Sequence, residues 1–236
     1  MFIRKRVSLS SFTFSLTLGL ALASAAWLPQ VAVAQDKAQD KTAATTAAAD
    51  AKTDANPDKL VRQISVEVID TAKADKAIQA GDLGRILALV ETKVMPHVNF
   101  EVMTRSAVGP QWRSATAEQR SKLQTEFKTL LVRVYSGALS QVKDQTVEVT
   151  KTLPVAGSTQ TVVQTEVRGK GEPIKLDYRL DKGTAADAAW KIIDVNVGGL
   201  WLVQNYRSQF AQEITKGGLD GLIGTLVERN KAAGKS

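Results

Sequence analysis

The chain has 236 residues, no cysteine, one histidine and a formal net charge of +7. Missing thiols exclude disulfide frameworks, zinc–thiolate sites and cysteine nucleophiles, and one imidazole excludes a histidine-rich metal cluster. The charge excess is mild and both signs are spread along the chain, which argues against a dedicated nucleic-acid binder.

Residues 1–34 read as a cleaved secretory signal. Arg4, Lys5 and Arg6 form the positive start, an apolar run extends from about Phe12 to Leu28, and Ala32-Val33-Ala34 supplies the small residues that a signal peptidase reads. Cleavage is expected after Ala34, with Ala23-Ser24-Ala25 as the alternative site. The run is mostly Ser, Thr, Ala and Gly, which favours removal over service as a membrane anchor. RKRVSL lacks the flanked arginine pair of the twin-arginine route, so export is expected to be of the Sec type. Subtracting the three basic residues of this segment from +7 leaves +4 for the mature chain. No other segment is apolar over a spanning length, so the mature protein is expected to be soluble and exported.

Residues 35–57, built from Ala, Thr, Asp and Lys, contain no aromatic or large aliphatic residue. With nothing to offset the entropy of ordering, this stretch is expected to be a flexible tether. Residues 58–232 are then expected to form one domain, or one domain with a small lobe.

From Pro57 to about Ala72, Leu60, Ile64 and Val68 repeat every four residues beside Val61 and Ile69, which predicts a helix capped by Asn56. A second helix is expected from about Asp82, carrying Leu83, Ile86, Leu87, Val90 and Val94 and ending at Pro96. Asn99 caps a third, with Phe100 and Met103 inward and Gly109-Pro110 as its stop. Thr116-Ala117-Glu118-Gln119 has the capping-box pattern, and the long helix after it turns Leu123, Phe127, Leu130, Leu131, Val134, Tyr135 and Leu139 inward.

The period then changes to two. Val147 and Val149 alternate with Glu148 and Thr150, residues 160–168 form the next strand, and Ile174, Leu176, Tyr178 and Leu180 alternate with Lys175, Asp177 and Arg179. WKIIDVNVGGLWLVQNYRSQF, residues 190–210, supplies the fourth strand, a glycine break and a helix from about Leu200. A last helix starts near Leu219. The fold class is therefore α+β: a four-stranded antiparallel sheet under a layer of helices, with an NTF2-like arrangement and an apolar cavity between the layers.

No catalytic set emerges. GxSxG, GxGxxG and Walker-type loops are absent, and His97 lies in MPHVNF without a visible acid beside it, where a hydrogen-bonded loop histidine is the simpler account. Asp177 and Asp194 fall on adjacent strands, but alternation puts Asp177 on the wet face. No catalytic residue, cofactor or metal is assigned. An enzyme that uses an NTF2-like pocket for a small apolar substrate stays open as the alternative, on fold analogy.

Several segments, in order, carry a family resemblance: VMPHVNFEVMTRSAVGPQWRSATAEQRSKLQTEFKTLL from Val94, LDYRL at 176–180, WKIIDVNVGGLWLVQNYRSQF, and GGLDGLIGTL from Gly217. Together with the surrounding elements the chain resembles the MlaC, or toluene-tolerance, family of periplasmic phospholipid-binding auxiliary proteins to ABC transporters. The family often has a Glu before the junction glycine and a Ser after it, where this chain has Gly198 and Leu200. The resemblance implies a soluble, monomeric periplasmic carrier without enzymatic activity. It would hold phospholipid by its acyl chains, exchanging it with an inner-membrane ABC transporter through its MCE-domain subunit and with an outer-membrane lipoprotein–porin complex, thereby maintaining outer-membrane lipid asymmetry.

A diacyl lipid moved through water exposes about thirty methylene-type groups at roughly 0.8 kcal/mol each, a barrier on the order of 20 kcal/mol. Such a carrier needs an apolar pocket. The expected lining is Val147, Val149, Leu176, Tyr178, Trp190 and Ile192 from the sheet and Phe127, Leu131, Tyr135, Leu200 and Val203 from the helices, with Arg113 and Arg207 as candidate rim residues. These side chains serve a solid core equally well, so periodicity alone does not separate a carrier from an adaptor with a filled interior.

Overall fold

The computed structural model describes residues 56–184 and 188–232. The expected signal peptide (1–34) and all of the expected tether except Asn56 and Pro57 lie outside the described residues.

Helix α1 runs Pro57–Ala74 with Leu60, Val61 and Ile64 buried; Asn56 holds the cap position in extended backbone, but its side chain makes no capping bond. Asp75 ends α1 and accepts the N–H groups of Ala77 and Ile78, which starts α2, Lys76–Gln79. The helix expected from Asp82 to Pro96 is composite. Asp82 caps α3, Leu83–Leu89, and the chain continues as a π turn, Val90–Val94, and a 3-10 turn, Met95–His97. Asn99 caps α4, Phe100–Val108, as expected, and a 3-10 turn, Gly109–Ser114, leads on. Both halves of the Thr116–Gln119 capping box form, and α5 spans Ala117–Ser140.

The strands are β1 Thr146–Pro154, β2 Gln160–Arg168, β3 Ile174–Asp181, β4 Lys191–Val197 and β5 Leu200–Trp201. They pair in sequence order, antiparallel throughout. The sheet therefore has five strands rather than four. Gly198 and Gly199, expected at a strand-to-helix junction, have φ of 59° and 94° and close a hairpin in which Val197 pairs with Leu200. Positive φ at both central residues is the backbone of a type I′ turn, whose twist matches that of the flanking strands, and glycine adopts it without strain. The covering helix α6 consequently starts at Leu202 and runs to Ala232, broken at Gly217 and Gly218.

Register sets which side chains share the inner face. Val147, Val167 and Ile174 form one row; Val149, Thr165, Leu176 and Val197 the next; Val163, Tyr178 and Val195 a third; Thr161, Leu180 and Ile192 a fourth. Helix α1 lies over β1 and β2, while α4 and α6 lie over β4. Among the described residues, the substantial contacts of α5 are all with other helices.

The core is divided. Phe127, Tyr206 and Phe210 form an aromatic group between α5 and α6, with Phe127 5.0 Å from Tyr206 and 5.1 Å from Phe210 in edge-on geometry. A second cluster joins Leu60, Val61 and Ile64 of α1 to Val163, Leu180 and Ile192 of the sheet. A third gathers Ala72, Ile78, Ile86, Leu89, Val132 and Val142 under the short helices. Each fully buried aliphatic or aromatic side chain stabilises the fold by about 1.5–3 kcal/mol. Val134, expected inward, is 55% exposed, and Val132 is buried in its place.

Candidate functional site

Along the inner face of β3 the side chains open progressively. Leu180 is fully buried, Tyr178 and Leu176 are half-buried, and Ile174 is 56% exposed. The neighbouring strands follow: Val163 and Thr165 of β2 are closed and Val167 is not, while Ile192 of β4 is closed and Val195 and Val197 are not. Val147 and Val149 of β1 are likewise half-buried. The inner face is thus mostly apolar, sealed at the Leu180 end and uncovered at the Ile174 end. Leu131 and Tyr135 of α5, like Val195 and Val197 of the sheet, are partly buried and pack against the aromatic cluster.

Tyr178 stands where the inner face of β3 passes from closed to open. Burial raises its phenol above the ordinary tyrosine value, while the nearby Ser65 hydroxyl of α1 acts in the other direction. The side chain is half-buried and packs against the cluster of Leu60, Val61, Ile64, Val163, Leu180 and Ile192. Tyr135 also has its phenol raised by burial, as does Tyr206, for which the neighbouring Tyr135 is a secondary cause.

Of the residues expected to line a pocket, Val147, Val149, Leu176 and Tyr178 meet on the inner face, and Leu131 and Tyr135 stand on the helical side. Phe127 and Ile192 are 0% and 2% exposed and belong to closed clusters. Trp190 precedes β4 and borders a separate groove of about 480 Å³ at the opposite end of the sheet, with Asn56, Pro57 and Lys182. Leu200, expected on a covering helix, lies in the edge strand β5, where it pairs with Val197 and so shares the inner face, and is 51% exposed. Val203 sits in the first turn of α6, where its N–H donates to Asp194. Arg113 and Arg207 are exposed, and Arg207 lies beside Gly109 in the helical layer. A further groove of about 460 Å³, bordered by Met95, Phe100, Trp112, Arg120 and Lys128, also belongs to the helical layer.

Val195 and Val197 were not anticipated, and the reason is a bulge. Arg179 pairs with Asp194 while Leu180 pairs with Ile192, so Ile193 is an extra residue in β4. Alternation carried forward from Ile192 would turn Asp194 and Asn196 inward; the bulge reverses parity and puts Val195 and Val197 there instead. Sequence carries no plain signal for that extra residue.

The polar groups are arranged for structure. Arg168, at the open end of β2, bridges Glu148 at 3.1 Å and Glu166 at 2.8 Å. Asp177 faces Asn196 and Asp194 faces Arg179 across β3 and β4, so the two carboxylates are not cross-strand partners. His97 is close enough to Glu67 to help hold that carboxyl below its usual range, behind the larger effects of Gln63 and Lys93. Among the described residues no group of three or more His, Cys, Asp or Glu is placed to hold a metal ion, and no helix is long and apolar enough to cross a membrane.

Comparison with known proteins agrees with this architecture. A family model, MlaC protein, matches residues 62–228. The intermembrane phospholipid transport system binding protein MlaC of Haemophilus influenzae is 22% identical over 170 residues, covering 71% of this chain and 79% of that protein. Toluene tolerance protein ttg2D of Pseudomonas putida is 24% identical over 187 residues, covering 76% and 86%. Among solved structures, the phospholipid-binding protein of Ralstonia solanacearum, in complex with a phospholipid, superposes with a TM-score of 0.71 at 38% identity, over 76% of this chain and 99% of that one.

Proposed function

The chain belongs to the MlaC protein family, and from that premise we propose that it is a periplasmic carrier that holds a phospholipid by its acyl chains and shuttles it between outer- and inner-membrane complexes. The observation that carries this reading is the graded opening of β3, from Leu180 at 0% to Ile174 at 56% exposed. Leu176, Val195 and Val197, left half-covered on this mostly apolar face, offer hydrocarbon a surface to lie against. The proposed lining is Val147, Val149, Leu176, Tyr178, Val195 and Val197 from the sheet with Leu131 and Tyr135 from α5. Acyl chains gain about 0.8 kcal/mol for each methylene removed from water, so a cleft of this character supplies affinity without specific polar contacts.

Export by the signal in residues 1–34 and flexible tethering by residues 35–57 complete the proposal. Lipid would pass to an MCE-domain subunit of an ABC transporter on one side and from a lipoprotein–porin complex on the other, through small polar contacts suited to transient docking. Maintenance of outer-membrane asymmetry would be the outcome, and no bond in the lipid is made or broken.

Mass spectrometry of organic extracts from the purified mature protein tests the reading. Stoichiometric, chemically unaltered phospholipid is expected. Absence of lipid, together with no uptake from labelled vesicles, would sink it, and recovery of a converted lipid would favour an enzyme instead.

A further inference from the structure

We propose that the Tyr178 ring is the stop that sets how far an acyl chain enters the cleft, and hence that it is the residue that determines chain-length preference. This inference rests on the carrier reading above and adds to it a specificity element.

Three observations carry it. First, among the described residues Tyr178 is the only aromatic one on the inner face of the strands, where the other positions are Val, Ile, Leu, Thr and Pro. The row in front of it, Val149, Thr165, Leu176 and Val197, is made of shorter side chains, so the ring projects further into the space than anything nearer the opening. Second, what lies behind the ring is closed: Leu180 and Leu60 are 0% exposed, Val61 1% and Ile192 2%. Cores packed to that density do not admit a methylene group without displacement. Third, the ring is held on several sides. Val163 and Val195 flank it in register, and Ser65 of α1, itself 7% exposed, stands against its hydroxyl.

From Ile174 at the opening to Tyr178 is four residues of strand, about 13 Å at the ordinary rise of an extended chain. Removal of the ring would lengthen the path towards Leu180 by two more residues. The hydroxyl is not what blocks the path; the ring is.

The test loads the full mature protein from vesicles containing equal parts of dilauroyl, dimyristoyl, dipalmitoyl and distearoyl phosphatidylglycerol. Lipid per protein and the chain-length distribution of the bound lipid are read separately by mass spectrometry. Tyr178→Ala and the milder Tyr178→Leu should shift the bound distribution to longer chains, with the ratio of distearoyl to dimyristoyl lipid rising several-fold. Tyr178→Phe should keep the wild-type preference. Leu176→Phe, which adds bulk nearer the opening, should shift it to shorter chains and remains informative if Tyr178→Ala does not fold. Lipid bound by the wild type with the same distribution in Tyr178→Leu and Leu176→Phe would overturn the stop and leave the carrier reading standing. No lipid bound by the wild type would overturn both.

Discussion

Asp194 reaches from β4 to the first turn of α6, where its Oδ1 accepts the Val203 N–H at 3.0 Å while also accepting the Val195 N–H at 2.8 Å. Helix α6 begins directly after Trp201, without a side-chain cap of its own from the hairpin, so a strand residue supplies the acceptor that the first-turn donors need. The carboxylate is 5% exposed and faces Arg179, whose guanidinium stacks on Trp201 with 4.5 Å between its carbon and the ring centroid. One residue thus ties the sheet to the helix that covers its last full strand.

That arrangement predicts a difference between two substitutions. Asp194→Ala strands two part-buried N–H donors and should cost about 1–3 kcal/mol. Asp194→Asn keeps an acceptor oxygen and should cost clearly less. Urea unfolding followed by circular dichroism measures both, and equal losses would show that capping is not what Asp194 contributes.

The pH dependence follows from the same site. The Asp194 carboxyl is raised above its ordinary value, chiefly by burial, with the Val203 and Val195 N–H groups and Arg179 acting the other way. A carboxyl whose folded pKa exceeds its unfolded one contributes stability that is complete below the unfolded value and is lost as pH rises through the folded value. Wild type should therefore gain on Asp194→Asn as the solution is acidified from neutrality through the carboxylate range. Glu67 and Glu213, whose carboxyls are lowered, pull total stability in the opposite direction but are common to both proteins. A stability difference that does not change with pH would contradict the burial account.

Leu176→Glu and Ile192→Glu should fail in different ways. Leu176 is half-buried on the open part of β3, so a carboxylate there can remain hydrated while it spoils an apolar lining. Lipid bound per protein should fall steeply with a native circular dichroism spectrum. Ile192 is 2% exposed within a closed cluster, and an unpaired carboxylate there should unfold the domain or lower its melting temperature sharply. Native stability of Ile192→Glu would show that this end of the sheet is open as well.

Thr116→Ala separates stability from binding. It removes the side-chain acceptor for the Gln119 N–H at the start of α5, at 3.1 Å, and should cost about 1 kcal/mol, or roughly 2–4 °C of melting temperature in a domain of this size. Calorimetry measures the shift. A loss above about 3 kcal/mol would mean that the Gln119 contact to Asp220 of α6, at 2.8 Å, is coupled to the cap.

Much of the fold was legible because its signals are local. Asn99 and Thr116 cap the helices they were expected to cap, and Gly217-Gly218 breaks the last helix where two helices were expected. The errors fall where chain geometry departs from simple periodicity. Asp75 inserts a short helix, Gly198-Gly199 turns back into β5 instead of leading into a helix, and Ile193 shifts the parity of β4. The candidate site was legible in residue type but only in part by position. Val147, Val149, Leu176 and Tyr178 are on the expected face, while Phe127 and Ile192, of the same chemical kind, are closed off and Leu200 stands on an edge strand instead of a helix.

The sequence by itself determined most of the helices, four of the strands and their alternation, because capping residues, glycine breaks and periods of 3.6 and two are properties of the chain read locally, and the order of its segments carried the family resemblance. Only the tertiary structure decided which apolar side chains are sealed and which stand open. Leucine, valine and tyrosine are chosen alike for a core and for a hydrocarbon cleft, and what separates the two is whether another element is packed above them. Over Leu180 and Ile192 that element is α1; towards Ile174 the inner face of β3 is left uncovered.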